Sequence, residues 1–376
     1  MKTQMDEILV IDGSYGEGGG QVLRTTLSLS ALLGRAVRLV NIRAGRPRPG
    51  LQAQHLTGVR AVARICNAEV DGAKLGSQEL TFIPRTAPQA GTYTFDVAEA
   101  RQGGSAGAAS LVFQTVLLPL ALADGQSHLT IRGGTHVEWS PPFDYLKRVY
   151  LPTLARMGVQ AKVHLEKWGW YPVGGGEMTA VIEGIGNKGT EGGKGNLRGL
   201  QGLTLTERGH LLQVRGLSAT SNLPRHIAQR QQRQVLQILR ERGFNPRIEV
   251  MDDVPSKGQG TVVFLWAEFE NVVAGFTAYG RLGKRAEEVA KEACRQFLAY
   301  YDSNAALDPH LADQLILPLA LAAGESAFTT SQITEHLLTN VWVIERFLGA
   351  RFKVEGERGK AGWAAVNKHL ATKSSP

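Results

Sequence analysis

Arginine and glycine in the first part of the chain form a pattern suited to phosphate chemistry. Residues 18–68 contain eight arginines, no lysine and no acidic residue. They overlap the glycine-rich loop Asp12-Gly-Ser-Tyr-Gly-Glu-Gly-Gly-Gly-Gln21. Arginine binds phosphate oxygens two at a time, and glycine lets backbone N–H groups approach an anion. The segment predicts an anionic partner, with a solvated basic face beside an ordinary turn as the alternative.

Two histidines stand where helices are predicted to begin. His336 lies in Thr334-Glu-His-Leu-Leu-Thr-Asn340, and His55 has the equivalent place in the N-terminal part. A neutral imidazole can attack phosphorus and pass on the group that it gains. A helix N-terminus also favours bound phosphate. His336 is therefore a candidate nucleophile, and a histidine near a helix cap is the alternative.

Several common nucleotide and metal motifs are absent from the sequence. It contains no G-x-x-x-x-G-K-[ST], no G-x-G-x-x-G, no H-E-x-x-H and no Lys-x-Asp-Gly. P-loop and Rossmann sites are therefore not supported, and lysine is not the indicated nucleophile. The two cysteines, Cys66 and Cys294, match no metal spacing, so they predict buried packing residues in a reduced compartment.

An internal repeat predicts the elements that position these residues. The segment Leu118-Pro-Leu-Ala-Leu-Ala-Asp-Gly-Gln-Ser127 recurs as Leu317-Pro-Leu-Ala-Leu-Ala-Ala-Gly-Glu-Ser326. A short strand, an amphipathic helix and another strand follow each copy, and the N-terminal part has the same order. We predict three copies of a strand, helix, strand, helix, strand unit, each with two helices against one face of a small sheet.

Hydrophobic periodicity and glycine positions give the bounds of these elements. The predicted helices besides those of the Leu-Pro-Leu-Ala-Leu-Ala copies are Gln21–Leu33, Gln54–Cys66, Phe143–Met157 and His336–Leu348. The predicted strands are Ala36–Ile42, Glu69–Val70, His128–Arg132, Val159–Glu166, Ala327–Thr330 and Ala350–Glu355.

A segment of different character interrupts the third unit. It begins in a polar, glycine-rich linker at 184–202 and contains two charged helices alternating with four strands. We predict an α/β fold of the α+β type: a large domain of three repeats, 1–185 and 303–376, with a smaller inserted α/β domain, 186–302. The insert has 17 Lys and Arg against 12 Asp and Glu. A polynucleotide contact and a solvated helix face both fit that balance.

Composition favours a protein that works in the cytoplasm without a membrane partner. The net charge is +8, which suits a nucleic-acid or nucleotide partner. The N-terminal residues lack the apolar core of a signal peptide, and the longest apolar run, 108–123, is interrupted by Gln114 and Pro119. The oligomeric state stays open, with a homo-oligomer among the alternatives.

Taken together, six motifs in register resemble the RNA 3′-terminal phosphate cyclase family. They span nearly the whole chain in the family's order. The motifs are Asp12-Gly-Ser-Tyr-Gly-Glu-Gly-Gly-Gly-Gln-Val-Leu-Arg24, Ile42-Arg-Ala-Gly-Arg46 with Gln54-His55, Gln114 in Leu-Val-Phe-Gln-Thr-Val-Leu, Tyr171-Pro-Val-Gly-Gly-Gly176, His310-Leu-Ala-Asp-Gln314 and His336-Leu-Leu-Thr-Asn340. The family's fold, three repeated units plus a small α/β insert, is the organisation that the internal repeat predicts.

The resemblance implies ATP-dependent conversion of an RNA 3′-phosphate to a 2′,3′-cyclic phosphate. His336 would attack the α-phosphorus of ATP and retain AMP, which then passes to the RNA 3′-phosphate. The neighbouring 2′-hydroxyl would attack that activated phosphorus. This last attack is intramolecular, so proximity supplies much of its rate.

The resemblance also implies roles for residues around His336. Glu17 would hold Mg²⁺ or Mn²⁺, and a single carboxylate is enough for Mg²⁺. Asp313 would contact the nucleotide or orient the histidine. ATP would bind Gln114, His310, Leu311, Ala312, Asp313 and Gln314. The terminal phosphate or the pyrophosphate would bind Arg24, Arg43, Arg46, Gln54 and His55.

Two other functions compete with this interpretation. A non-catalytic relative could keep the fold and the RNA-binding surface and act in ribosome assembly, but such a protein is expected to lack the nucleophilic histidine and parts of the ATP site. This chain has His336, Glu17, Gln114, Asp313 and Gln314 together. An enolpyruvyl transferase, which repeats a similar α/β unit, would form no covalent nucleotide intermediate.

Overall fold

A computed structural model of the chain describes residues 8–102, 104–186, 199–349 and 351–367. Side chains are described for all of these residues except Arg351 and Asn367. The predicted linker falls largely on 187–198, and the argument against a signal peptide rests largely on the first seven residues. Both therefore lie largely outside the described residues, although residues 184 and 185 belong to a strand. No helix in the described ranges is long and apolar enough to cross a bilayer.

The first unit contains two helices and four strands. Its elements are β1 (Leu9–Asp12), α1 (Gly20–Leu33), β2 (Val37–Val40), α2 (Ala53–Ile65), β3 (Glu69–Asp71) and β4 (Leu80–Ile83). The strand order is β1-β2-β4-β3. Only β1 and β2 are parallel, because α1 crosses over between them, whereas β4 is antiparallel to both of its neighbours.

The second unit repeats this arrangement with one irregular helix. Its elements are β5 (Thr92–Asp96), α3 (Ala109–Ala121), β6 (Asp124–Gly133), α4 (Phe143–Tyr145), α5 (Leu151–Ala155), β7 (Gln160–Lys167) and β8 (Gly176–Ile185), in strand order β5-β6-β8-β7. The continuous helix predicted for 143–157 is replaced by α4, a π-helical turn at Leu146–Tyr150 and α5. Pro152 has no N–H to donate to the preceding turn, and the widened turn lies directly before it.

The inserted segment has its own sheet. After β9 (Thr204–Leu205) come β10 (Leu211–Ser221), α6 (His226–Glu241), β11 (Arg247–Met251), β12 (Gly260–Phe269), β13 (Val273–Tyr279) and α7 (Ala286–Ser303). The strand order is β11-β10-β12-β13. Helices α6 and α7 pack against each other and against these strands, so the segment buries a core between one sheet and two helices.

The third unit resumes after the insert. Its remaining elements are α8 (Pro309–Leu321), β14 (Ser326–Thr330), α9 (Glu335–Leu348), β15 (Arg351–Glu355) and β16 (Gly362–Asn367). The strand order is β15-β16-β14-β9, and β9 pairs parallel with β14. The first strand of this unit therefore precedes the insert in sequence, which favours a first domain boundary after residue 205. The division into domains itself stays a prediction.

The predicted α/β fold class is confirmed, and the repeated unit needs one correction. Each unit has a fourth strand, β4, β8 or β16, that the sequence prediction did not include. This strand lies between the second and third strands of its unit. In β4, buried and half-buried residues alternate, which is the ordinary signal of a strand with one face on a core.

Helices from all three units pack against one another. Helix α1 contacts α2, α3 and α9, while α8 contacts α9. The facing surfaces include the buried side chains Val22, Leu27, Val116 and Val343, and burying such a side chain contributes roughly 1.5–3 kcal/mol. The start of α1 lies close to the start of α2, since a Cβ added at Gly20 would collide with the His55 ring. Cys66 and Cys294 are both buried free thiols, as predicted.

Candidate active site

The glycine-rich loop between β1 and α1 packs directly against helix α9. Gly16 has a φ of 60°, and a Cβ at this position would collide with the Thr339 hydroxyl. In the same loop, the Tyr15 ring stacks on Trp342 of α9 with centroids 3.9 Å apart. Glycine is needed at position 16 because it combines a left-handed backbone with this close approach. The loop is thereby held against the third unit.

This contact brings Glu17 beside His336. His336 is the second residue of α9, and its Nδ1 lies 3.7 Å from Glu17 Oε2. The backbone N–H of Glu17 donates to Thr339 Oγ1 over 3.1 Å. Two units that are far apart in sequence therefore supply a carboxylate and an imidazole to one site.

The Glu17 carboxylate has one paired oxygen and one without a partner. Oε1 forms an ion pair with Arg46, whose guanidinium also donates to the Glu17 carbonyl over 2.7 Å. Oε2 is buried and accepts no hydrogen bond from any described residue. A buried carboxylate oxygen of this kind fits a divalent cation such as Mg²⁺. The described residues contain no group of three His, Cys, Asp or Glu placed to hold a metal, so water and substrate oxygens would supply the other ligands.

The surroundings of His336 keep its imidazole neutral and accessible. Its side chain is 46% exposed. Partial desolvation, followed by the positive charges of Arg24, His310 and Arg46, lowers the pKa of His336 to about 4. An imidazole with this pKa is neutral near pH 7 and keeps a lone pair for attack.

Two of the three arginines predicted to bind phosphate, Arg24 and Arg46, lie near this imidazole. Burial lowers the pKa of Arg24 to about 10, and its guanidinium donates to Gln21 Oε1. Arg43 Nη1 donates to the carbonyls of Arg48 and Gly50 over 2.6 and 2.9 Å. Arg24 and Arg46 both lower the pKa of His336. Both arginines are therefore close enough to act on the His336 ring electrostatically.

His55 and Gln54 lie at the start of α2 and already have protein partners. His55 is 7% exposed, and its Nδ1 accepts from the Gln52 backbone N–H over 3.1 Å. Burial, then the charges of Arg43 and Arg24, lowers the pKa of His55 to about 3. Gln54 Oε1 accepts from the Ala108 N–H over 2.8 Å. Their predicted phosphate contacts would use the atoms that remain, His55 Nε2 and the Gln54 amide nitrogen.

The residues predicted to bind ATP lie on α3 and α8. Gln114 Nε2 donates to Gln314 Oε1 over 2.6 Å. His310 is exposed at the start of α8, whereas Leu311 and Ala312 are buried in the core. A small cavity lies between these helices and α1. It is lined by Gln21, Arg24, Thr25, Ser28, Gln114, Leu118, Tyr150, Asp313, Gln314, Leu317, Pro318 and Asn340.

Asp313 connects the residues predicted to bind the nucleotide to helix α9, which carries His336. The Thr334 hydroxyl donates to Asp313 Oδ1, and Thr334 Oγ1 in turn accepts from the Leu337 N–H over 3.0 Å as the N-cap of α9. Burial, together with the charge of Asp308, raises the pKa of Asp313 to about 8. The geometry thus gives Asp313 a contact through which it can orient His336.

Most of the chain matches one protein family. The family model described as RNA 3′-terminal phosphate cyclase matches residues 15–354. The chain belongs to the RNA 3′-terminal phosphate cyclase family. The family prediction, and with it the prediction of an enzyme of this kind, is confirmed.

Curated relatives with this name are similar over most of their length. The protein from Methylococcus capsulatus is 53% identical, over 92% of this chain and 93% of that protein. The one from Nostoc punctiforme is 51% identical, over 92% and 96%, and the one from Pyrobaculum neutrophilum is 44% identical, over 92% and 94%. Among solved structures, the enolpyruvyl transferase NikO from Streptomyces tendae has a TM-score of 0.26 at 14% identity, over 44% of this chain and 30% of that chain. That score is too low to bear on the fold or the function.

The cyclase-family site contains residues that the sequence prediction left without a role. Asn340 Oδ1 accepts from Gln21 Nε2 and Thr25 Oγ1 over 2.9 and 2.6 Å, and its Nδ2 donates to the Asp313 carbonyl over 3.0 Å. Asn340, four residues after His336 on α9, therefore connects α1, α8 and α9. Its place in the His336–Asn340 motif was the available signal.

Asp308 is a second residue that the sequence prediction missed. It caps α8 by accepting from the His310 and Leu311 N–H groups, both over 3.0 Å. Its carboxylate also accepts from the Tyr145 hydroxyl over 2.8 Å. The sequence carried a signal here, because Asp followed by Pro309 is a common helix start.

Proposed function

We propose that the protein uses ATP to convert an RNA 3′-terminal phosphate to a 2′,3′-cyclic phosphate, with covalent AMP on His336 and then an RNA-adenylate. The observation that carries the proposal is the neutral, half-exposed His336 beside the partnerless oxygen of Glu17. The names of the relatives support the overall reaction. The covalent step is the part that experiment must establish.

The proposed reaction has three exchanges at phosphorus. An imidazole nitrogen of His336 forms a bond to the α-phosphorus of ATP as the bond to pyrophosphate breaks. An oxygen of the RNA 3′-phosphate then attacks the same phosphorus and releases the imidazole. Finally the 2′-hydroxyl attacks the RNA phosphorus, its proton passes to solvent, and AMP leaves. The first two steps turn a poor leaving group into AMP.

The orientation of His336 favours Nε2 as the attacking atom. Nδ1 is the ring nitrogen that faces the Glu17 carboxylate, 3.7 Å away. A negative oxygen on that side favours the tautomer with its proton on Nδ1, so the lone pair is on Nε2. Glu17 Oε2 would hold Mg²⁺ or Mn²⁺, which neutralises charge on the ATP phosphates. The same carboxylate would thus act on the ring and hold the cation.

The remaining residues divide between the nucleotide and the RNA end. Gln114, Gln314, Asp313 and the exposed His310 would bind ATP. The terminal phosphate or pyrophosphate would lie among Arg24, Arg43, Arg46, Gln54 and His55. Planar guanidinium groups suit phosphate oxygens, and partial burial strengthens such pairs. The rival role, a non-catalytic RNA-binding factor, leaves the combination of His336, Glu17 and Asp313 without a purpose.

Labelling with ATP tests the covalent step directly. The purified protein is incubated with Mg²⁺ and ATP labelled at the α-phosphate, and the denatured protein is then treated with acid or alkali. We expect a label that is acid-labile and alkali-stable, as for a phosphoramidate, and that is absent from His336→Ala. A labelled His336→Ala protein would refute the assignment. No label on the unmodified protein, with ATP binding measured separately, would favour the non-catalytic role.

A further inference from the structure

Two large aromatic side chains are exposed in neighbouring loops that the proposed chemistry does not use. Trp139 is 96% exposed and Tyr171 is 75% exposed. The loops adjoin because the N–H groups of Thr135 and His136 both donate to the Gly169 carbonyl over 3.0 Å. Tryptophan is highly buried on average in folded proteins. Two exposed rings in adjoining loops therefore indicate a surface for a ligand.

The loop that carries Tyr171 is fixed independently of this ring. Gly174 has a φ of 69°, its N–H donates to the Trp170 carbonyl over 2.6 Å, and an added Cβ would lie 2.7 Å from the Ser105 carbonyl oxygen. Trp168 and Trp170 are buried beneath the loop. Packing and backbone contacts thus hold the loop, so stability does not account for the exposed Tyr171 ring.

The aromatic loops adjoin the residues proposed to bind the RNA terminal phosphate. Residues 105–108 form one backbone segment between the two sites. On one side of it, the Ala108 N–H donates to Gln54 Oε1 over 2.8 Å, and on the other side Gly174 packs against Ser105. Lys257 also lies beside this loop, since a Cβ added at Gly175 would be 3.3 Å from Lys257 Cδ. A cation and the loop that carries Tyr171 therefore lie one segment away from Gln54.

We propose that Tyr171 and Trp139 form a stacking surface for the unpaired bases that precede the 3′-terminal phosphate of the RNA. This inference rests on the proposed function. Stacking on aromatic rings tolerates any base, because every base has a π-face, and a nearby cation suits the backbone phosphates. Lys257 would supply that cation. The continuity with Gln54 and the charge of Lys257 favour RNA over a second copy of this chain as the occupant.

Binding of short RNAs tests the stacking surface without any chemical step. A fluorescent oligonucleotide with a 3′-phosphate is titrated without ATP into the unmodified protein and the variants Tyr171→Ala, Trp139→Ala and Tyr171→Phe. Loss of one stacked base weakens binding by roughly 5- to 150-fold. We therefore expect that weakening from each alanine variant and near-normal binding by Tyr171→Phe, which keeps the ring.

An abasic oligonucleotide identifies what the rings contact. Removing the bases before the terminal nucleotide should weaken binding by the unmodified protein and have little further effect on Tyr171→Ala, because the two changes remove the same contact. Fully additive effects would overturn the proposal. Leu212→Ala is the matched control, since Leu212 is an exposed apolar residue on strand β10 of the insert, and this variant should bind RNA normally.

Two further measurements separate this inference from its alternatives. AMP attachment without RNA should be unchanged in Tyr171→Ala and Trp139→Ala. If the proposed function is wrong, AMP attachment itself will fail. If only the stacking surface is wrong, AMP attachment will be normal and the expected change in RNA binding will be missing. Analytical ultracentrifugation gives the oligomeric state. If the alanine variants change the oligomeric state and leave RNA affinity unaltered, the surface is an interface between copies and the proposal is wrong.

Discussion

His55 and His336 lie at the start of the second helix in the first and third units, yet their imidazole rings have different surroundings. The His55 ring is buried, and its Nδ1 accepts the Gln52 backbone N–H. The His336 ring is half exposed, and its Nδ1 faces the Glu17 carboxylate. Both have a lowered pKa, to about 3 and about 4. A neutral histidine at a helix start is therefore not enough to make a nucleophile.

The difference arises from which group caps each helix. In α2, Gln52 and His55 form a reciprocal capping box in which the imidazole accepts the N-cap N–H. In α9, the Thr334 hydroxyl accepts from the Leu337 N–H instead. A hydroxyl that caps the helix leaves the ring of His336 available for a substrate. The local sequence around each histidine thus separates a buried ring with a backbone partner from a half-exposed ring.

Replacing each histidine by alanine gives the largest expected contrast. We expect His336→Ala to lose all AMP attachment, because no other described imidazole has the same exposure beside Glu17. His55→Ala should still be labelled by ATP, while its free energy of unfolding falls by about 1 kcal/mol through loss of the capping contact. Labelling of denatured protein and urea unfolding measure the two effects. Loss of label in His55→Ala with retention in His336→Ala would reverse the assignment.

Glu17→Gln tests the carboxylate that lies beside His336 and has no counterpart in the described contacts of His55. The amide keeps the shape but removes the charge that would hold the cation, so AMP attachment should fall by roughly 100-fold. Mn²⁺ binding, measured by calorimetry, should weaken as well. This gives a readout that does not depend on labelling. A variant that binds Mn²⁺ as tightly as the unmodified protein would show that Glu17 is not a ligand.

Glu335 offers a matched control for this experiment. It is the first residue of α9, next to His336, and forms an ion pair with Arg358 over 2.8 Å. Glu335→Gln removes the same charge at nearly the same place. Glu335, unlike Glu17, has no buried carboxylate oxygen that lacks a hydrogen-bond partner among the described residues. We expect Mn²⁺ binding and AMP attachment to change little in this variant.

The sequence predicted the elements better than the contacts between them. Gly34 and Gly349, in left-handed conformations, end α1 and α9 where the sequence predicted helix ends. Strand β9 was missed because two residues carry no periodic signal, and its partner β14 is more than 100 residues away. The first unit was predicted without β4, although its alternating pattern was present.

The site shows the same division. Residue types and spacing pointed to arginine, glycine and histidine at helix starts, and the family resemblance supplied the separate roles. The sequence did not indicate that Asp313 contacts Thr334, or that Asn340 connects three helices. These contacts depend on how α1, α8 and α9 pack, and the two sides of the Asn340 contact with Gln21 are 319 residues apart in sequence. Sequence spacing carries no information over that distance.

Thr334 is the residue that separates the two helix starts, so changing it tests the capping argument. Thr334→Ala removes the N-cap of α9 and should lower the free energy of unfolding by roughly 0.5–2 kcal/mol. AMP attachment should fall by less than about 10-fold, since the nucleophile is present but less well oriented. Thr334→Ser keeps the hydroxyl and should restore both quantities. Equal loss in the serine variant would mean that the methyl group, and not the cap, matters.

Asp313→Asn gives the smallest expected change in AMP attachment at pH 7. Because burial raises the pKa of Asp313 to about 8, its carboxyl is largely protonated at that pH. The Asn oxygen can still accept from Thr334, so AMP attachment should change by only a few-fold, within the contribution of one neutral hydrogen bond, about 0.5–1.5 kcal/mol.

The same variant should alter how stability depends on pH. The pKa of Asp313 is raised above its unfolded value of 3.8, so the folded protein binds the extra proton between those two pH values. The stability that this proton contributes is fully present below pH 4 and is lost as the pH rises through about 8. We expect the free energy of unfolding to fall between pH 5 and pH 8 relative to Asp313→Asn, and to level off above that. The free energy of unfolding of both proteins is measured by urea unfolding at each pH. If it depends on pH in the same way for both, Asp313 ionises normally, and its contact with Thr334 is an ordinary hydrogen bond to a carboxylate.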